Sequence, residues 1–273
     1  MRSDFRLWRT AALTVAVVMV FAGLAYADTF GQVFWQDDFQ DGDYTNNPTW
    51  TPFGGGTWNV ATTDIGGGEY ALDLTATHIP GGGWAGAYVN YIESNQGISG
   101  WLRAVPPASD DWTSLVMLRY TPTATVGIGT GYALAVGNSA SFGMVAQLYQ
   151  LNDLLGYSTV TDPVLISPTT VDLWVRFYAT GSGANTSLRG RVWADGSTEP
   201  FGWQLDSGSP GSTAGVTNYY GSGVGGVGLA AVDNSVTGRA YFDNVTYGTP
   251  EPATMALMVT GIGALILRRR RQA

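Results

Sequence analysis

Val171-Asp172-Leu173-Trp174-Val175-Arg176-Phe177-Tyr178 is the stretch that decides the fold. Its odd positions are Val, Leu, Val and Phe, and its even positions are Asp, Trp, Arg and Tyr. Successive side chains of an extended chain point to opposite faces, so this alternation predicts a strand with one buried face. Asp172, Trp174, Arg176 and Tyr178 then share the other face. A tryptophan and a tyrosine flanking an arginine suit stacking on a sugar ring. The competing reading packs the same face under a loop or leaves it at a sheet edge.

Working outward, similar runs rich in β-branched and aromatic residues recur along the chain, separated by glycine clusters. Strands are expected near 33–39, 57–61, 69–74, 86–92, 100–105 and 113–120. Further strands are expected near 131–136, 144–151, 171–178, 187–194, 226–232 and 239–247. Gly54-Gly55-Gly56, Gly66-Gly67-Gly68, Gly81-Gly82-Gly83 and Thr180-Gly181-Ser182-Gly183-Ala184 read as loops. A dozen short strands at this spacing predict an all-β, two-sheet antiparallel sandwich of the jelly-roll kind.

The two ends read differently. Arg2, Arg6 and Arg9 precede an apolar stretch from Ala11 to Leu24, and Ala25-Tyr26-Ala27 offers small residues on both sides of a cleavage site. That is the pattern of a signal peptide over residues 1–27, a helix cut after Ala27. At the other end Thr249-Pro250-Glu251-Pro252 leads into an uncharged run from Ala253 to Leu267, then Arg268-Arg269-Arg270-Arg271. As a helix the run rises about 22 Å against a hydrocarbon core of about 30 Å, so it is a short transmembrane helix. Four arginines do not cross a membrane readily and are expected to stay cytoplasmic. Gly261 and Gly263 lower its helix propensity, which suits a processed segment better than a lasting anchor.

This Pro-Glu-Pro-Ala-Thr start, apolar run and arginine cluster resemble the PEP-CTERM sorting tail of Gram-negative bacteria. The resemblance implies an exported protein handled by export machinery, signal peptidase and an exosortase-type membrane protease. It also implies transient tethering to the inner membrane, then residence at the cell surface or in the extracellular matrix. The expected organisation is a signal peptide at 1–27, an extracytoplasmic sandwich at 28–248 and a sorting tail at 249–273.

Composition narrows what the sandwich does. Every basic residue is an arginine, and six of the 13 lie between residues 28 and 248, against 19 of the 21 acids. So acidic a surface repels phosphate backbones and argues against nucleic acid as a partner. There is no cysteine, which removes thiol chemistry and cysteine-bound metals, and the single histidine, His78, removes any multi-histidine centre.

Gln36-Asp37-Asp38-Phe39 near the start, Leu188-Arg189-Gly190-Arg191-Val192-Trp193 and Tyr241-Phe242-Asp243-Asn244-Val245 resemble the concanavalin A-like, laminin-G-like jelly rolls of bacterial extracellular proteins. Enzymes of that fold cleave glycosidic bonds with paired carboxyls about 5–9.5 Å apart. The Glu-x-Asp-x-x-Glu pattern of the laminarinase-like relatives is absent, and Glu69, Glu93 and Glu199 stand alone. No catalytic residue is therefore expected. The resemblance places first and last strands side by side, where a structural calcium can bridge Asp38, Asp41 and Asp243. Trp84, behind three glycines, is expected to be displayed, and Trp174, Arg176 and Tyr178 complete the candidate ligand-binding set. The reading is thus a non-catalytic domain for carbohydrate or exopolysaccharide, with a purely structural biofilm-matrix protein or a glycoside hydrolase or lyase of unfamiliar carboxylates as alternatives.

Overall fold

A computed structural model describes residues 30–77, 83–105, 112–122, 129–139, 143–152, 157–167, 172–208, 216–231 and 237–250. The chain divides into one compact unit, Val33–Gly248, and a second made of Met1–Gln32 and Thr249–Ala273. The signal peptide with Ala25 and Ala27, His78, and the tail from Glu251 onward, with Pro252 and Arg268 to Arg271, lie outside the described residues. Pro250 is the last residue of a strand. Among the described residues, no helix is long and apolar enough to cross a membrane.

The described strands are β1 (Phe30–Asp37), β2 (Trp50–Gly55), β3 (Thr57–Gly66), β4 (Glu69–Thr77), β5 (Gly83–Glu93), β6 (Gln96–Val105), β7 (Trp112–Thr121) and β8 (Thr130–Ser139). They continue with β9 (Gly143–Asn152), β10 (Tyr157–Thr159), β11 (Val164–Ser167), β12 (Asp172–Thr180), β13 (Ser187–Ala194), β14 (Leu205–Asp206), β15 (Gly223–Ala231) and β16 (Thr237–Pro250). One sheet has the order β14-β13-β12-β6-β16-β4-β3, with β1 also on β16. The other runs β10-β9-β8-β7-β15-β5-β2, with β11 on β9. The all-β, two-sheet expectation is met.

The core lies between the sheets. Leu173, Val175 and Phe177 of β12 enter it beside Leu102 of β6 and Phe242 of β16. Val116, Leu134, Leu148 and Leu229 face them from the other sheet. Each such side chain contributes roughly 1.5–3 kcal/mol on burial, so this alternation, repeated in every central strand, drives the stacking. The second sheet carries a smaller apolar cluster of its own, including Leu115, Met117, Ala133 and Ala135, with Phe53, Tyr88 and Tyr149 packed against it. These residues alternate with the core-facing ones along β7, β8 and β9, which places them on the sheet's other face.

Four short strands depart from the expected set: β2, β10, β11 and β14. The sequence of β2, Trp50-Thr51-Pro52-Phe53-Gly54-Gly55, reads as a loop because it holds a proline and two glycines. It is an edge strand, paired only with β5, where a missing N–H is tolerated. Gly55 has a packing reason: a Cβ there would come within 2.7 Å of the Trp84 indole nitrogen. The Gly66-Gly67-Gly68 loop is a hairpin tip as expected, with all three glycines at positive φ and Glu69 opening β4.

Candidate functional site

With Leu173, Val175 and Phe177 pointing inward, Asp172, Trp174 and Arg176 stand on the outer face of the first sheet. Trp174 of β12 is directly opposite Trp101 of β6 and Trp193 of β13. Adjacent strands are about 4.8 Å apart, so three indoles line up across roughly 10 Å of sheet. The rings of Trp174 and Trp193 are near parallel, at 16°, with centroids 6.5 Å apart. Trp174 and Trp193 are partly exposed, while Trp101 is buried.

Polar groups frame this row. The Trp174 Nε1–H donates to Asp195 Oδ1 at 2.8 Å. Arg103 sits over the Trp101 ring, 5.0 Å from its centroid, and donates to both carboxylate oxygens of Asp172. That hydrogen bond, more than any other influence, holds the Arg103 guanidinium above its ordinary pKa. One residue row away, Arg176 and Arg191 share Glu199 Oε1, each at 3.0 Å. Arg191 also donates to the Phe201 carbonyl and lies 4.1 Å from the Trp203 centroid. This ties the segment after β13 back across the sheet, where Trp203 packs on Tyr178.

The expected ligand set is therefore divided. Trp174 is on the open part of the face. Tyr178 is only 4 % exposed, beneath Trp203, and Arg176 is engaged with Glu199, so for these two the loop-covered reading holds. Trp84 is not a loop residue: it lies within β5 in the other sheet, opposite Gly55 and Ala230, partly buried. It cannot share a site with Trp174. Trp101, Trp193 and Asp195 complete the row, and alternation within one strand does not reveal them. Their signal is the register between β6, β12 and β13.

The acidic residues gather around β1 and β16. Asp37, Asp38 and Asp41 line a cavity of about 480 Å³ together with Trp35, Asn47 and Pro48. Asp37 accepts from the Phe39 backbone N–H at 2.8 Å and the Trp50 Nε1–H at 2.7 Å. Burial nevertheless pushes its carboxyl up to about 6, with Asp41 and Asp38 adding to the rise. Asp243 is also pushed up to about 6, by burial first and then by Asp38, Glu69 and Asp37. The first and last strands lie side by side as expected, since β1 pairs with β16.

The calcium arrangement is not. Among the described residues, no three His, Cys, Asp or Glu side chains converge closely enough to hold a metal ion. Asp38 Oδ1 accepts from the Gln40 N–H, Asp41 Oδ1 from the Asp43 N–H, and Asp243 from the Asn244 backbone and side chain. Asp38 and Asp41 each commit one oxygen, and Asp243 both, to turn N–H groups, and the three do not converge, so they do not fit a metal site as placed.

No protein-family model matches the sequence, and no curated protein matches it. Among solved structures, the Emp47p carbohydrate recognition domain is 13 % identical, covering 78 % of this chain and 94 % of that one, with a TM-score of 0.49. The carbohydrate binding module CBM66 from Bacillus subtilis is 16 % identical, covering 73 % and 95 %, with a TM-score of 0.44. The VIP36 exoplasmic/lumenal domain in its Ca2+/Man3GlcNAc-bound form is 10 % identical, covering 74 % and 86 %, with a TM-score of 0.46. None of them lends a residue role to this chain.

Proposed function

We propose that this chain is an exported protein of the cell surface or extracellular matrix whose sandwich binds carbohydrate without cleaving it. The observation that carries the proposal is the Trp101–Trp174–Trp193 row, aligned in register across β6, β12 and β13. Apolar faces of sugar rings stack on indoles, while fixed polar groups at the rim select hydroxyls. Asp195, Arg103 and Asp172 supply acceptors and donors beside the row. Three carboxylates of this face are each paired to arginine: Asp172 to Arg103, Glu199 to Arg176 and Arg191, and Asp73 to Arg239. A glycosidase needs one carboxyl held as an acid beside another held as a base.

Export, processing after Ala27, and sorting through Pro250-Glu251-Pro252 and Arg268 to Arg271 by an exosortase-type protease belong to the same proposal. They rest on the sequence of the two ends. A purely structural matrix role is the competing reading, and retention on polysaccharide separates the two.

The test is a pull-down of the purified chain on a panel of insoluble polysaccharides. Retention on at least one is expected, equal in calcium and in EDTA because stacking on indole rings needs no metal. No reducing ends should be released. Absence of retention on every polysaccharide would leave the structural role standing.

A further inference from the structure

Every arginine between residues 28 and 248 is already engaged. Arg103 pairs with Asp172, Arg176 and Arg191 with Glu199, Arg189 with Asp206, and Arg239 with Asp73. Arg119 is fully buried and donates to backbone carbonyls. The chain has no lysine, and these six arginines stand against 19 acids. A polyanionic glycan therefore has to share arginines that carboxylates already hold, and it approaches against the field of the surplus acids.

Beside the tryptophan row the exposed charge is also negative. Asp195 follows β13 in a turn closed by the Ser197 N–H on the Ala194 carbonyl at 3.0 Å. Gly196 completes that turn at φ 75°, which glycine adopts without strain. The Asp195 N–H donates to the Asp172 carbonyl at 3.0 Å, and its Oδ1 accepts from the Trp174 indole. The carboxylate is thus fixed at the edge of the Trp174 ring while its residue stays exposed. Arg103 is held by Asp172 and lies on Trp101, so Arg103, Asp172 and Asp195 together leave one negative charge over. We infer that the glycan of this row carries protonated amines, an amino-sugar polysaccharide with free rather than acetylated nitrogen. A substituent projecting sideways from a stacked sugar passes over the indole edge, where the Asp195 carboxylate stands. An ammonium there gains from the carboxylate and from the indole face, whereas a neutral glycan has the stacking alone. This inference rests on the reading of the tryptophan row as the glycan site.

The full chain is titrated with soluble oligomers, of equal length, of glucosamine, N-acetylglucosamine and galacturonate. The buffer is mildly acidic, so that sugar amines are protonated, and low in salt. Glucosamine should bind roughly fivefold tighter than its acetylated form, as one exposed ion pair allows, and galacturonate should bind weakest. The preference should shrink as salt rises. Asp195→Asn keeps an acceptor for the Trp174 N–H and should bring the first two affinities together. Equal or tighter binding of the acetylated oligomer, or an unchanged preference in Asp195→Asn, overturns the amine inference alone. Binding of galacturonate only, or of none of the three, does the same and leaves the row to the polysaccharide panel. If Trp174→Ala with Trp193→Ala binds both glucosamine oligomers as the wild type does, the row fails as the site and the amine inference falls with it.

Discussion

Replacing Arg119 with methionine is expected to lower the melting temperature by about 10 °C, corresponding to about 3 kcal/mol in a domain of this size. Arg119 is fully buried, yet no carboxylate pairs with it among the described residues. Burial accordingly pulls its pKa down. The guanidinium instead donates to backbone carbonyls from separate loops: Ser94 at 2.8 Å, Tyr220 at 2.8 Å and Gly181 at 2.6 Å. Its own backbone N–H donates to Gln96 Oε1 at 2.6 Å. Arg119 holds a left-handed backbone conformation, φ 49°, which turns the side chain out of the β7 alternation and into this loop cluster.

Two effects of the substitution oppose each other. Removing the charge removes its desolvation cost, while the stranded carbonyls each cost about 1–3 kcal/mol. Three carbonyls outweigh one relieved charge that was already well hydrogen-bonded, so the net change is a loss. Arg119→Lys should be nearly as harmful, because one ammonium cannot reach carbonyls arranged around a planar fork. Thermal melts by circular dichroism check both variants. Wild-type stability in Arg119→Met would show that the loops around residues 94, 181 and 220 hold themselves in place.

The second large effect is an unusual dependence of stability on pH. Asp37 and Asp243 both have carboxyl pKa values of about 6 in the folded chain, above the 3.8 of an unperturbed aspartate. Above pH 6 both are ionised whether the chain is folded or not, and the fold bears the full cost of their burial and mutual repulsion. As pH falls from 6 toward 4 the folded state takes up protons that the unfolded state does not, and stability rises. Below 3.8 both states are protonated and the gain is complete. The two sites share neighbouring charges, so their effects do not add fully, and the gain is roughly 3 kcal/mol for the pair. Denaturant melts should therefore show greater stability at pH 5 than at pH 7.5. Asp243→Asn should remove much of that difference by stabilising the chain at pH 7.5. A wild-type midpoint that falls on going from pH 7.5 to 5 would contradict this.

How much of this was legible depended on where the information lay. β12 declares itself, because Leu173, Val175 and Phe177 alternate with polar and aromatic residues inside one strand. β2 does not: Pro52, Gly54 and Gly55 are loop residues by composition, and their reason for standing in a strand is the indole of Trp84, nearly thirty residues away. The same limit applied to the candidate site. Trp174 was found from its own strand, but Trp101 and Trp193 join it only through the pairing of β6 and β13. Tyr178 shares parity with Trp174, and parity cannot foresee that Trp203 covers it. The pairing of β1 with β16 was legible, but the turn hydrogen bonds that Asp38, Asp41 and Asp243 accept were not, because they depend on local backbone geometry. Arg119 carried no pattern at all, since its role depends on carbonyls from three loops.

Polysaccharide is proposed to bind on the tryptophan row of the first sheet. That binding is tested most directly by affinity electrophoresis in gels containing a polysaccharide that retains the wild-type chain. Trp174 and Trp193 are partly exposed, so Trp174→Ala with Trp193→Ala should fold, as a thermal melt will verify. Each stacked ring contributes about 0.5–1.5 kcal/mol, so the pair should cost on the order of tenfold in affinity. The double variant should lose retardation while Trp84→Ala, on the opposite sheet, keeps it. A double variant retarded as strongly as the wild type, or retardation lost only in Trp84→Ala, would contradict it.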